Sequence, residues 1–159
     1  MTIKSRPVIL VGAGAIASHW IPSISRSASL KLAGVIDPDE EARSRASVAA
    51  SDIWTAANLS VMPKGDYANA IALIATPDHF PVIRELAQYG FRNFIVEKPI
   101  VSRDVEVEQL AQLAKQKKLT IYSIDHYYPK FLPFEYTLGK LGKNDPRRAF
   151  LEFHGDHKP

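Results

Sequence analysis

The sequence predicts an α/β fold, a doubly wound parallel sheet with helices on both faces. Three observations carry that expectation. Short apolar runs alternate with helical stretches along the chain. Several of these runs are apolar at every position, as expected of strands buried on both faces. The residues best suited to chemistry stand where strands end, and that is where ligands collect in such sheets.

Residues 7–11 (PVILV) form the first such run, closed by Gly12. Residues 15–27 read as a helix that Pro22 should bend or interrupt. Residues 30–36 (LKLAGVI) are a second strand ended by Asp37-Pro38, and the charged, alanine-rich residues 39–50 a second helix. Residues 51–69 carry the weakest pattern, with a short edge strand near 53–55 and a loop around Met62-Pro63-Lys64-Gly65. Residues 70–75 (AIALIA) are a buried strand. Residues 78–89 are a helix with Pro81 in its first turn, Asp78 or Thr76 as cap, and Gly90 as its stop. Residues 93–96 form the next strand. Residues 102–118 form a helix with a serine cap at Ser102, and residues 119–124 another strand. A helix from Pro129 to about Leu141 and a strand at 148–153 complete the pattern.

At 159 residues the chain holds one domain's worth of core, with 46% hydrophobic and 23% charged residues. The absence of cysteine excludes disulfides, thiolate metal sites and a cysteine nucleophile. Twenty basic against seventeen acidic residues, with no sustained basic run, argues against a nucleic-acid partner. No apolar stretch approaches the ~18 residues of a membrane span. The N-terminus resembles a signal peptide only in its basic start, since its apolar segment runs straight into glycines. A cytoplasmic setting is expected.

The strongest motif is Gly12-Ala13-Gly14-Ala15-Ile16-Ala17, a G-x-G-x-x-A pattern directly after the first strand. Gly12 permits a tight turn, Gly14 lets backbone approach a pyrophosphate, and Ala17 keeps the helix close to the sheet. The pyrophosphate then lies at the helix start opened by Ala15 and Ile16, where free N–H groups favour an anion. A glycine-rich turn without a ligand is the plain alternative. Asp37, about twenty residues further on, raises the odds because it ends the second strand, where a carboxylate accepts from the adenine-ribose hydroxyls. The same charge repels a 2′-phosphate, so NAD is favoured over NADP. Arg43 and Arg45 lie close enough in sequence to reverse that preference.

Later strand ends add candidates. Thr76 and Pro77 follow the fourth strand and would lie along the nicotinamide half of a cofactor. His79 follows in the first helical turn, where a surface histidine is the bland alternative. Glu97-Lys98-Pro99 ends the fifth strand. Proline keeps Lys98 extended, at the mouth of the crevice, and a cis Lys98–Pro99 bond costs little. The Lys98 ammonium there is placed to orient a substrate hydroxyl or to move its proton. A solvated lysine is the plain alternative. Asp125, His126, Tyr127 and Lys130 after the sixth strand form a polar cluster suited to sugar hydroxyls or a phosphate, or simply a capped loop. His154, Asp156 and His157 read as a strand end and tail, with no metal site assigned.

The ordered set GAGAIA, VIDPDEEA, ATPDHFPVIRELAQYG and VEKPIV resembles the N-terminal half of the Gfo/Idh/MocA oxidoreductases over about residues 7–125. That resemblance implies a Rossmann domain and NAD(P)-dependent redox chemistry on a hydroxyl or carbonyl of sugars, cyclitols and related compounds. It implies that Gly12, Gly14 and Ala17 hold the pyrophosphate, Asp37 the ribose, and Thr76 and Pro77 the nicotinamide side. Lys98 becomes the catalytic-site lysine, with Glu97 and His79 counted among the cofactor-side residues. Asp125-His126-Tyr127 with Lys130 is locally similar to the D-H-Y-x-x-K segment of glucose-6-phosphate dehydrogenase. There the histidine and lysine grip a sugar phosphate.

The resemblance divides the chain into a Rossmann domain at 1–125 and, at 126–159, a connecting helix and the first strand of a truncated substrate domain. Two functions then compete. One is an oxidoreductase of which this chain is the cofactor-binding part, acting on a small sugar-like substrate. The other is a stand-alone, non-catalytic dinucleotide-binding module or sensor. An open apolar strand near the C-terminus would be an unprotected edge, so self-association is a further expectation.

Overall fold

The computed structural model describes residues 5–124. Arg6–Val11 (β1), Leu30–Ile36 (β2), Trp54–Ala56 (β3), Ile71–Ile74 (β4), Asn93–Glu97 (β5) and Thr120–Ile124 (β6) form one sheet. Their order is β3-β2-β1-β4-β5-β6. The pairs β1–β2, β1–β4, β2–β3 and β4–β5 are parallel. Helices Ala17–Ser25 (α1), Glu40–Ala49 (α2), His79–Gln88 (α3) and Asp104–Lys117 (α4) cross between the strands. The winding reverses between β1 and β4, and such a switch point opens a crevice at the carboxyl ends of the strands.

The alternation of a strand's side chains explains why the inner runs are apolar throughout. Val8 and Leu10 of β1 join a core with Ala17, Ile21 and Ile24 of α1 and Ala42 and Ala46 of α2. Ile9 and Val11 point the other way, into a core with Phe80, Ile83 and Leu86 of α3 and Leu110 of α4. In β4, Ile71 and Leu73 belong to the first core, Ala72 and Ile74 to the second. Each fully buried aliphatic side chain contributes about 1.5–3 kcal/mol, so the central strands carry much of the fold's stability. Among the described residues β3 and β6 stand at the two edges of the sheet, and Tyr122 of β6 is exposed.

Most expected elements are present with ends shifted by a residue or two. Pro22 lies inside α1 without breaking it. It is the sixth of nine helical residues, near the last turn, and its carbonyl still accepts from Arg26 N–H at 3.1 Å. The weak region contains β3 and a short 3-10 helix, Leu59–Val61, with Met62 buried in the core. Gly34 has a packing role: a Cβ there would lie 2.2 Å from the Trp54 indole, so this ring rests on the β2 backbone.

Two capping expectations are corrected. Asp78 occupies the N-cap of α3, but neither its side chain nor that of Thr76 caps the helix. Ser102 does not cap α4, whose N-cap is Arg103. Glu106 instead reaches back from inside the helix, accepting from Ser102 N–H at 3.1 Å and from the Arg103 guanidinium at 2.6 and 3.0 Å. A carboxylate in the first turn meets the positive end of the helix dipole, so the helix start is satisfied without a serine. The segments expected at 129–141 and 148–153 lie outside the described residues.

Candidate dinucleotide site

The crevice is built first from backbone. Gly12 has φ +94°, and a Cβ there would stand 2.8 Å from the Ala75 carbonyl carbon and oxygen. Both facts demand glycine. The Gly12 N–H donates to Ile36 O and the Ala75 N–H to Val11 O, each at 2.8 Å, so the ends of β2, β1 and β4 converge around this turn. Gly14 is different. A Cβ on it would meet nothing within 4 Å, yet the residue lines the main cavity. Its missing side chain therefore leaves a cradle open to a ligand. α1 has Ile16 as its N-cap and no side-chain cap. The N–H groups of Ala17, Ser18 and His19 close onto the carbonyls of Gly14, Ala15 and Ile16, so an anion at this end would be met by the N–H groups of the loop that leads into the helix.

Asp37 secures this loop from the neighbouring strand. Its Oδ2 accepts from Ala13 N–H at 2.6 Å and its Oδ1 from Asp39 N–H at 2.8 Å. Asp39 in turn caps α2, accepting from Glu41 N–H at 3.0 Å. One carboxylate thus ties the glycine turn to the start of the second helix and still lines the cavity. Arg43 donates to the carbonyls of Asp37 and Pro38 at 2.7 and 3.0 Å. Arg45 faces Asp39 and Glu41 at 3.9 and 3.6 Å in exposed pairs of little energetic weight. Both cations are thereby engaged within the loop and helix that follow β2.

The main cavity measures about 720 Å³, within the range of roughly 300–1,000 Å³ usual for cofactor pockets. Gly12, Gly14, Asp37, Thr76 and Pro77 line it together. Asn58 and Ser60 also line it, and the sequence reading did not foresee them. Asn58 Oδ1 accepts from Ser60 N–H at 3.0 Å and from Ser60 Oγ–H at 2.6 Å. The signal was the rule that ligands meet strand ends, which applies to these residues once β3 is placed at Trp54–Ala56. The open cradle, the uncapped helix and the carboxylate on the rim are the donor and acceptor set that a dinucleotide requires.

The other predicted residues among those described do not line this cavity. Ala15 and Ala17 border a second groove of about 290 Å³ between α1 and α2, and Ala17 is buried against the sheet. Ile16 is the N-cap of α1. At the end of β5 the Lys98–Pro99 peptide is cis. The Glu97 carboxylate accepts from the Trp20 indole N–H of α1 at 3.2 Å. His79 is no surface residue: it is 5% exposed, and its Nδ1 meets the Pro99 carbonyl at 2.6 Å. The ring is buried because the chain turning at Pro99 offers it a carbonyl partner. Asp125, His126, Tyr127, Lys130, His154, Asp156 and His157 lie outside the described residues. Among the described residues no group of three or more histidine or acidic side chains gathers as a metal site. No helix among them is long and apolar enough to cross a membrane.

The sequence pattern of the GFO_IDH_MocA family, described as "Oxidoreductase family, NAD-binding Rossmann fold", matches residues 6–126. The chain belongs to this family. Within it, the YceM protein of Salmonella typhimurium, an oxidoreductase by name, is 30% identical over 115 residues, 70% of this chain and 36% of YceM. Solved structures share the fold. The WlbA dehydrogenase from Bordetella pertussis, in complex with NADH and UDP-GlcNAcA, matches with TM-score 0.71 at 20% identity. That match covers 85% of this chain and 41% of WlbA. A scyllo-inositol dehydrogenase from Lactobacillus casei with bound NAD(H) and scyllo-inositol matches with TM-score 0.72 at 17% identity, over 86% of this chain and 40% of the dehydrogenase. The chain thus spans well under half the length of these proteins.

Proposed function

We propose that the chain is the cofactor-binding part of an oxidoreductase acting on a hydroxyl or carbonyl of a sugar, cyclitol or related polyhydroxylated compound. The observation that carries this reading is the cradle at Gly14, open beside the Asp37 carboxylate in one cavity with Thr76 and Pro77. The substrate class is supported by two proteins of the same fold, one bound to a sugar nucleotide and one to an inositol.

In this reading the N–H groups leading into α1 hold the pyrophosphate, and Asp37 accepts from the ribose hydroxyls. Thr76 and Pro77 flank the nicotinamide half. The nicotinamide, when bound, supplies the hydride donor or acceptor, while the protein supplies position and electrostatics. Lys98 directs its ammonium at the substrate oxygen, orienting it and exchanging its proton as the carbon changes oxidation state. The Asp37 carboxylate opposes a 2′-phosphate, and Arg43 donates to backbone carbonyls instead of offering its guanidinium freely to that phosphate. NADH is therefore expected to bind more tightly than NADPH.

Titrating the chain with both nucleotides tests the cofactor half, with Asp37→Ala as control. Tighter NADH binding that Asp37→Ala weakens supports it, and no binding of either nucleotide overturns it. Hydride transfer with a polyol and sugar panel tests the redox half. Tight NADH binding with no turnover by this chain would favour the binding-module reading for the chain alone.

A further inference from the structure

We propose that His79 and Trp20 are positioning residues that hold the Lys98 corner from opposite faces of the sheet. The inference rests on the reading of Lys98 given above. Trp20 belongs to α1, which packs on one face, and His79 opens α3, which packs on the other. Their two hydrogen bonds land on the residues immediately before and after the lysine. The Trp20 indole N–H reaches the Glu97 carboxylate at 3.2 Å, and His79 Nδ1 reaches the Pro99 carbonyl at 2.6 Å.

The second bond also fixes the histidine's chemistry. A carbonyl oxygen only accepts, so Nδ1 must carry a hydrogen, and the neutral ring is the Nδ1–H tautomer. A buried ring of this kind costs free energy unless its polar atom is satisfied, and the Pro99 carbonyl supplies that partner.

Strand β5 alone would leave its last residues to the freedom of a turn. The two bonds remove it. An indole that cannot accept and a ring held in one tautomer define where Glu97 and Pro99 sit, and the backbone between them carries Lys98. Displacement of a catalytic group by about 1 Å costs up to roughly a hundredfold in rate, so such anchoring has a functional consequence.

The test uses the full chain with its lysines reductively dimethylated with carbon-13, the Lys98 methyl signal being identified by its loss in Lys98→Arg. In His79→Leu and in Trp20→Phe the Lys98 signal is expected to move toward the position of solvated lysines. His79→Asn places an N–H donor near the original Nδ1, and it is expected to return the signal toward its wild-type position. A Lys98 signal unmoved in His79→Leu and in Trp20→Phe overturns the proposal. Failure of His79→Asn to restore the signal overturns the role of the histidine bond. If His79→Leu does not fold, Trp20→Phe decides alone, because it keeps an aromatic ring in place and removes the indole N–H donor. NADH binding measured on the same samples separates the two questions. Loss of NADH binding by the wild-type chain would defeat the cofactor reading, whereas a silent Lys98 signal with NADH bound defeats only the positioning role.

Discussion

The two ends of the crevice are held by different means. Around Gly12 and Gly14 the surface offered to a ligand is backbone and absent side chain, secured by the single carboxylate of Asp37. Around Lys98 the chain is held by side chains from α3, the element before β5, and from α1, far from it in sequence. The first kind of site allows little substitution for two different reasons: a positive φ and a close backbone approach restrict Gly12 to glycine, whereas at Gly14 a side chain would meet no protein atom and would take up only the open cradle. The second is modular, because any donor of similar reach serves as an anchor.

The comparison breaks most sharply at Gly12. Gly12→Val forces a side chain into the Ala75 backbone at positive φ, and a loss of about 2–4 kcal/mol is expected together with loss of NADH binding. Urea unfolding and NADH titration would measure both, and a variant of wild-type stability would contradict the described turn. Asp37→Ala comes next. It removes acceptors for Ala13 and Asp39, so about 1.5–3 kcal/mol of stability should be lost, with NADH affinity down roughly tenfold. The gap between NADH and NADPH affinity should narrow in the same titration.

Gly14→Ala sharpens the contrast within the loop. The added Cβ meets no protein atom, so stability should change by less than about 0.5 kcal/mol while NADH affinity falls roughly tenfold. Equal affinity for NADH would show that the cradle does not seat the ligand.

The smallest effect is expected away from both ends, at Glu106. The hydrogen-bonded Arg103 guanidinium holds its carboxyl below the ordinary value, burial opposes this, and Ser102 N–H assists. A depressed folded-state value means that the contribution is complete above the ordinary glutamate range and is lost as pH falls through the lowered value. Glu106→Gln should therefore melt below wild type at neutral pH, with the difference closing in acid. A gap independent of pH would assign the effect to packing alone.

Much of this was legible in the sequence for a physical reason. The runs PVILV and AIALIA announce strands covered on both faces, and the glycine turn with Asp37 announces a dinucleotide because local geometry dictates its residues. Asn58 and Ser60 escaped notice because β3 is only three residues long, too short for alternation to register. The burial of His79 was hidden because its partner is a backbone carbonyl, and every residue type carries one. Glu106 likewise replaces Ser102 at the start of α4 through a contact that only the helix geometry brings together.

The Trp54 ring lying on Gly34 has an optical consequence. The chain contains two tryptophans, one seated on the β2–β3 side of the sheet and the other tethered to the end of β5. Their combined emission therefore draws on both flanks of the crevice. With Trp20 replaced by Phe, the remaining signal follows the ribose-side flank alone, and energy transfer to bound NADH becomes a one-donor ruler across the sheet.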